Sequence, residues 1–226
     1  MDISTRLMSI TMEFVFMPVQ AGDKKLRGIF DSVSESHSIT SFSTLPDGST
    51  VMSTKEEKNN LSRYRILRDR VVITYEFCSN SINYYSALAS DFLSVFAKTA
   101  GVSLILMHSI IIRKLVNLRQ FEDGRDYLIK KALSLTDEDL KVFARPLHVI
   151  GTRMFFPAVD QGLSAYDIKV ESWGEDTRSI FIECAGIYSA PADIGKDVSV
   201  ISIDTDKTDD FISNNILGFL KQFGGR

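Results

Sequence analysis

Apolar residues recur with two periods along this chain. Ile10, Met12, Phe14 and Phe16 alternate with Thr11, Glu13, Val15 and Met17, so Met8 to Val19 reads as a half-buried strand that Pro18 ends. Leu26, Ile29, Phe30 and Val33 then fall at helical spacing. They predict a helix over 24–36, with Asp23 as its cap and His37 near its close. Ile39 to Leu45 and Ser49 to Thr54 flank Pro46-Asp47-Gly48, a turn in which proline presets φ and glycine relieves the sterics. Lys55 to Asn60 is a charged surface loop. Arg63 to Leu67 and Val71 to Phe77 are two further strands around Arg68-Asp69-Arg70. Ser79-Asn80-Ser81 then caps a helix over 82–100 that Gly101 stops.

Val102 to Gln120 is the most apolar stretch of the chain. On an extended backbone Leu104, Leu106, Ile110, Ile112, Val116 and Leu118 share one face, and Ile105, Met107, Ile111 and Leu115 share the other. It reads as a strand covered on both sides, bent near His108-Ser109 and placed where two halves join. His108, Arg113 and Lys114 interrupt it, which excludes a transmembrane helix. Asp123 caps the next helix, over 125–135. Thr136-Asp137-Glu138-Asp139 has the spacing of a capping box that opens a further short helix. Four strands follow, at 148–157, 164–173, 178–188 and 198–204. A last helix runs from Phe211 to Phe223 and Gly224-Gly225 ends it.

In outline, each half is strand, helix, four strands, helix. The fold class expected is α+β: two tandem units, 1–101 and 102–226, that can merge into one domain. Their sheets are antiparallel, with the helices packed on one face. The element order resembles the fold of the TATA-box-binding protein, which joins two such units.

Motifs add a family resemblance. Ile110-Ile111-Ile112-Arg113-Lys114-Leu115-Val116-Asn117 resembles the Arg-hydrophobic-x-hydrophobic-hydrophobic-Asn strand of a sporadically distributed prokaryotic family of uncharacterised proteins. Ile201-Ser202-Ile203-Asp204-Thr205-Asp206, followed by a helix ending in Phe223, resembles that family's late hydrophobic-Asp-hydrophobic-Asp strand. The likeness spans roughly 71 to the end, and Lys114 and Thr205 depart from the pattern. It implies an architecture and no reaction.

The net charge of −3 gives no global pull toward nucleic acid or an anionic membrane. Cys78 and Cys184, far apart in apolar-rich segments, read as buried thiols. Met1 to Ile10 lacks a signal-peptide pattern, and the cytoplasm is the expected compartment.

Candidate chemistry is sparse. Arg113 and Asn117 share a strand face about 13 Å apart at ~3.3 Å per residue. Arg113 can hold a carboxylate or phosphate with its planar fork, and its plainer role is to pair with Glu183 or Asp204. Asp204 and Asp206, with Asp209 and Asp210 nearby, suit a divalent cation or the negative start of a helix. His37, His108 and His148 lack metal spacing. No phosphate loop or Gly-x-Ser-x-Gly occurs. Trp173, Tyr166, Tyr188, Phe155 and Phe156, with Arg153, Lys169 and Arg178, form an aromatic and basic set on the late strands. Such a set can stack bases, but it more often packs a sheet.

These readings favour a non-catalytic binding or interaction protein that uses an open sheet face for a protein partner or for a second copy of itself. No cofactor, metal or membrane is called for. The alternative is a ligand-binding protein or enzyme with a pocket between the units near Arg113. Nucleic acid binding by the sheet face ranks third.

Overall fold

The computed structural model describes residues 3–55, 60–118, 122–159 and 164–223. Residues 56–59 of the charged loop, Arg119 and the closing Gly224-Gly225 lie outside them. The first half contains β1 (Ile3–Phe16), α1 (Asp23–Val33), β2 (Ile39–Thr44), β3 (Thr50–Thr54), β4 (Leu61–Ile66), β5 (Arg70–Glu76) and α2 (Ile82–Ala100). The second contains β6 (Leu104–Leu118), α3 (Gly124–Tyr127) with a π-helical turn (Leu128–Ala132), and α4 (Asp137–Lys141). Then come β7 (Gly151–Phe156), β8 (Ser164–Ser172), β9 (Ser179–Tyr188) and the two-residue β10 (Ala192–Asp193). The chain closes on α5 (Ser199–Asp210), which continues through a π-helical stretch (Phe211–Ile216) into α6 (Leu217–Phe223).

All pairings are antiparallel, and one sheet runs through both halves in the order β2-β3-β4-β5-β1-β6-β9-β8-β7, with β10 beside β6. β1 and β6, the first strand of each half, pair at its centre. One face carries Ile10, Met12, Phe14, Ile73, Ile110, Ile112, Ile182 and Val170, all wholly buried. The helices cover that face. Phe16 meets Phe96 at 5.3 Å, Tyr64 stacks on Phe92 at 4.5 Å and Tyr166 stacks on Phe211 at 4.0 Å. Each such side chain contributes about 1.5–3 kcal/mol by leaving water. The fold is therefore α+β with helices on one side, as the alternation implies.

Local signals hold where the backbone needs a particular residue. The Ser81 hydroxyl accepts from the Tyr84 N–H, and Gly101 ends α2 at φ 78°. Asp123 caps α3 through Arg125 and Asp126 N–H, and Thr136 and Asp139 form the capping box of α4. Asp23 is instead the first residue of α1, after a Gly22 cap without a side-chain bond.

Three expectations are corrected. The segment 198–204 is not a strand but the start of the C-terminal helix. Its polar-apolar alternation and β-branched residues mimic a strand, yet Ile201 is wholly buried and Ile203 half exposed. Ile201, Asp204, Thr205, Thr208 and Ile212 form one buried stripe at helical spacing. The second half therefore has one long strand fewer than the first, and the late Asp-x-Asp motif sits on a helix. β6 is covered on one face only, and its ladder to β9 begins at His108. Its pairing with β1 shifts register between Leu7 and Ser9 and between Val15 and Phe16; the second shift leaves Leu106 of β6 as the extra residue, two places before His108. Last, the aromatic and basic set is divided by the two-residue strand period. Tyr166 packs on the helix side against Phe211, and the buried Tyr188 hydroxyl bonds the Asp204 carbonyl of α5. Arg153, Phe155 and Lys169 occupy the opposite face by register.

Candidate functional site: a recess on the open sheet face

The uncovered face carries its charge in a row. Register aligns Glu76 of β5, Ser9 of β1, Arg113 of β6, Glu183 of β9, Lys169 of β8 and Arg153 of β7. Arg113 donates through Nε to Glu183 Oε2 at 2.5 Å and through Nη1 to the Ser9 and Thr11 hydroxyls at 3.4 and 3.3 Å. Both partners of the ion pair are 31% exposed. The acid expected from the second half is thus Glu183. Asp204, the other candidate, lies across the sheet, beneath the helices.

A cavity of about 450 Å³ opens beside Arg113. Two backbone irregularities shape it. β1 shifts register between Leu7 and Ser9, and the Met8 carbonyl accepts from the Cys78 N–H at 3.1 Å. β5 ends at Glu76, and Phe77 turns the chain at φ 56°, a conformation uncommon for an aromatic residue. Arg6, Ser9, Glu76, Cys78 and Arg113 line the recess, and the half-exposed Phe77 forms its rim. Two arginines and one glutamate thus line one concave volume, with Arg113 already paired to Glu183 and Arg6 near enough to Asp176 to help hold that carboxyl low. Burial pushes the Cys78 thiol up to about 11, so it stays protonated at neutral pH and is a poor nucleophile.

Asn117 is on the same strand face as Arg113 but opposite Ser4 and Ser179, outside the recess. Arg6 and Glu76 were not legible as site residues, because only the register of β1 with β5 and β6 brings them to Arg113. The polar Ser4-Thr5-Arg6 run before the alternating part of β1 was the available hint.

No family model matches this chain, and neither does any curated protein. Most of the remaining buried polar groups are accounted for by their contacts; among the described residues, Thr50 Oγ1 and His108 Nδ1 are buried without a hydrogen-bond partner. Under the helices, His108 Nε2 bonds Asp204 Oδ2 at 3.0 Å and Lys207 bonds Asp204 Oδ1 at 2.7 Å. The His108 ring stacks between Phe14 and Tyr188. Burial pushes the Asp204 carboxyl up, but the His108 and Lys207 hydrogen bonds and charges outweigh it and hold the group below the usual range. His37 is tied to Tyr64 at 2.7 Å and Asp91 at 2.9 Å. Asp209 pairs with Lys114. Both histidines are almost wholly buried and support packing. Among the described residues, no group of three or more His, Cys, Asp and Glu could hold a metal ion, and no helix is long and apolar enough to cross a membrane.

Proposed function

We propose that this is a non-catalytic binding protein whose site is the Arg113 recess on the open sheet face. Its ligand is a small molecule bearing a carboxylate or phosphate. The observation that carries this reading is the 450 Å³ cavity that holds Arg6 and Arg113 together. That volume is within the range of small-ligand sites, and guanidinium groups suit planar, multi-oxygen anions. Glu76, in the same wall, favours a ligand that also carries an amine or hydroxyl donor. The protonated thiol of Cys78 supports binding over covalent chemistry. Nucleic acid suits the face less well, because its basic residues are interleaved with acids: Arg113 with Glu183, Arg70 with Glu13, Arg153 with Asp167.

The same reading treats the halves as a structural duplication of the TATA-box-binding type. Support comes from the pairing of β1 with β6 and the mirrored strand order on either side of it. It also places the protein in the cytoplasm, consistent with two free thiols.

A thermal-shift panel of small carboxylates and phosphate monoesters tests the site. At least one class should raise the melting temperature of the wild type saturably. Arg6→Ala, at an exposed position, should weaken its affinity about tenfold or more, as expected for loss of a charge-assisted hydrogen bond. A panel without effect, or one whose effect survives in both Arg6→Ala and Arg113→Lys, overturns the reading.

A further inference from the structure

The two ends of the sheet are finished differently. At one end β2 completes the first half: Ile39 is buried and Phe42 packs edge-on against Phe30 of α1 at 5.6 Å. At the other end the second half stops one strand short, at β7. On the helix side there, Met154, Phe156, Ile168, Phe211, Ile216 and Phe219 line an apolar groove of about 240 Å³. On the open side Phe155 is 60% exposed, and Phe156 on the helix side is 45% exposed. A short edge strand with large apolar groups on both faces invites another strand.

We infer that this edge is a self-association surface on which β7 of a second copy of the chain adds antiparallel, about a two-fold axis at Met154. Backbone direction limits the registers. The Ser172 N–H donates to the Ile150 carbonyl at 2.9 Å, so alternation turns the peptide groups of Thr152, Met154 and Phe156 toward β8. Those of Gly151, Arg153 and Phe155 face outward. A two-fold axis must therefore match odd positions with odd positions. An axis at Arg153 opposes like charges. An axis at Phe155 sets Arg153 against Pro157, which has no N–H to give. An axis at Thr152 leaves Phe155 opposite the backbone before the strand. With the axis at Met154, Arg153 and Phe155 of each copy exchange both backbone hydrogen bonds with Phe155 and Arg153 of the other. Each Arg153 then faces the other copy's Phe155 across the open face, with its guanidinium still paired to its own Asp167. On the helix side the two Met154 side chains meet and bring the two grooves together. Pro157 and the six-residue length of β7 confine the pairing, and each copy consumes its only β7 edge, so the assembly closes as a dimer.

Sedimentation equilibrium on the full chain at micromolar concentration should give twice the 25.4 kDa chain mass. A Met154→Cys variant under mild oxidation should form a disulfide-linked dimer. Cα atoms facing each other in a non-hydrogen-bonded antiparallel pair are about 4.5 Å apart, within disulfide reach. Thr152→Cys, two residues from the axis, should remain uncrosslinked, as should the wild type. A monomeric wild type overturns the inference. So does a dimer in which Met154→Cys fails to crosslink, or one in which Thr152→Cys crosslinks instead; these outcomes assign the contact to another surface or register.

Discussion

Arg113 is a cation on the most apolar strand of the chain, and the pairing that makes it tolerable there can be measured. Arg113 and Glu183 are each 31% exposed, with 2.5 Å between Nε and Oε2. Fully exposed ion pairs contribute about 0.2–1 kcal/mol, whereas stranding one partner of a fully buried pair costs about 3–5 kcal/mol. A pair one-third exposed belongs between these limits. The bonds from Nη1 to Ser9 and Thr11 are long and add little. We therefore expect a coupling of about 1–2 kcal/mol between the two side chains, read from a double-mutant cycle of Arg113→Met, Glu183→Gln and the pair. Arg113→Met alone should destabilise by about 1–3 kcal/mol, because Glu183 loses its partner while the methionine keeps the aliphatic packing. For a protein of this size that corresponds to roughly 2–4 °C of melting temperature per kcal/mol. Urea unfolding of the four proteins is the assay, with equal m-values as the check that the unfolded states match. A coupling near zero, or an Arg113→Met midpoint equal to or above the wild type, refutes the argument. Glu183 would then not be what holds the guanidinium beside the recess.

Two further outcomes test the packing under the helices. Asp204 has a folded-state pKa below its unfolded value, so its contribution is complete above the ordinary aspartate range and is lost as pH falls through the folded pKa. Asp204→Asn should destabilise by about 1–3 kcal/mol at neutral pH and flatten the acid limb of the stability curve below about pH 4; an unchanged acid limb speaks against it. Gly186 lies where α5 crosses β9, and an added Cβ would come within 2.4 Å of Thr208 Oγ1 and 3.0 Å of the Tyr188 ring. Gly186→Ala should cost about 1–3 kcal/mol by overpacking, measurable as a lower denaturant midpoint, and a neutral result contradicts that close approach.

Much of the fold could be read from residues with one physical role. Gly101 takes the left-handed position that stops α2, Ser81 caps it, and the alternation of Ile10, Met12, Phe14 and Phe16 marks the covered face of β1. The errors arose where two structures share one local pattern. Val198 to Asp204 alternates like a strand, and only its continuity with the stripe through Thr205, Thr208 and Ile212 identifies a helix. β6 is apolar on both faces, which suggests two covering layers. Its open face is instead sheltered by neighbours in the sheet: Leu115 is only 7% exposed, opposite Arg6 and Phe181. Arg113 could be singled out because a charge on an apolar strand demands a partner. Arg6, Glu76 and Cys78 could not, because their meeting depends on a register shift at Met8 and a positive φ at Phe77, neither of which has a sequence signature.

The proposed site is tested most directly by following backbone amide resonances of the wild-type chain during titration with succinate and, separately, with inorganic phosphate. The account predicts saturable shifts in at least one titration, concentrated at Ser9, Cys78 and Arg113 around the recess. It predicts that Arg6→Ala weakens them. Resonances that stay unmoved there in both titrations, or that move only around other cations of the face such as Arg65 or Arg153, would contradict it.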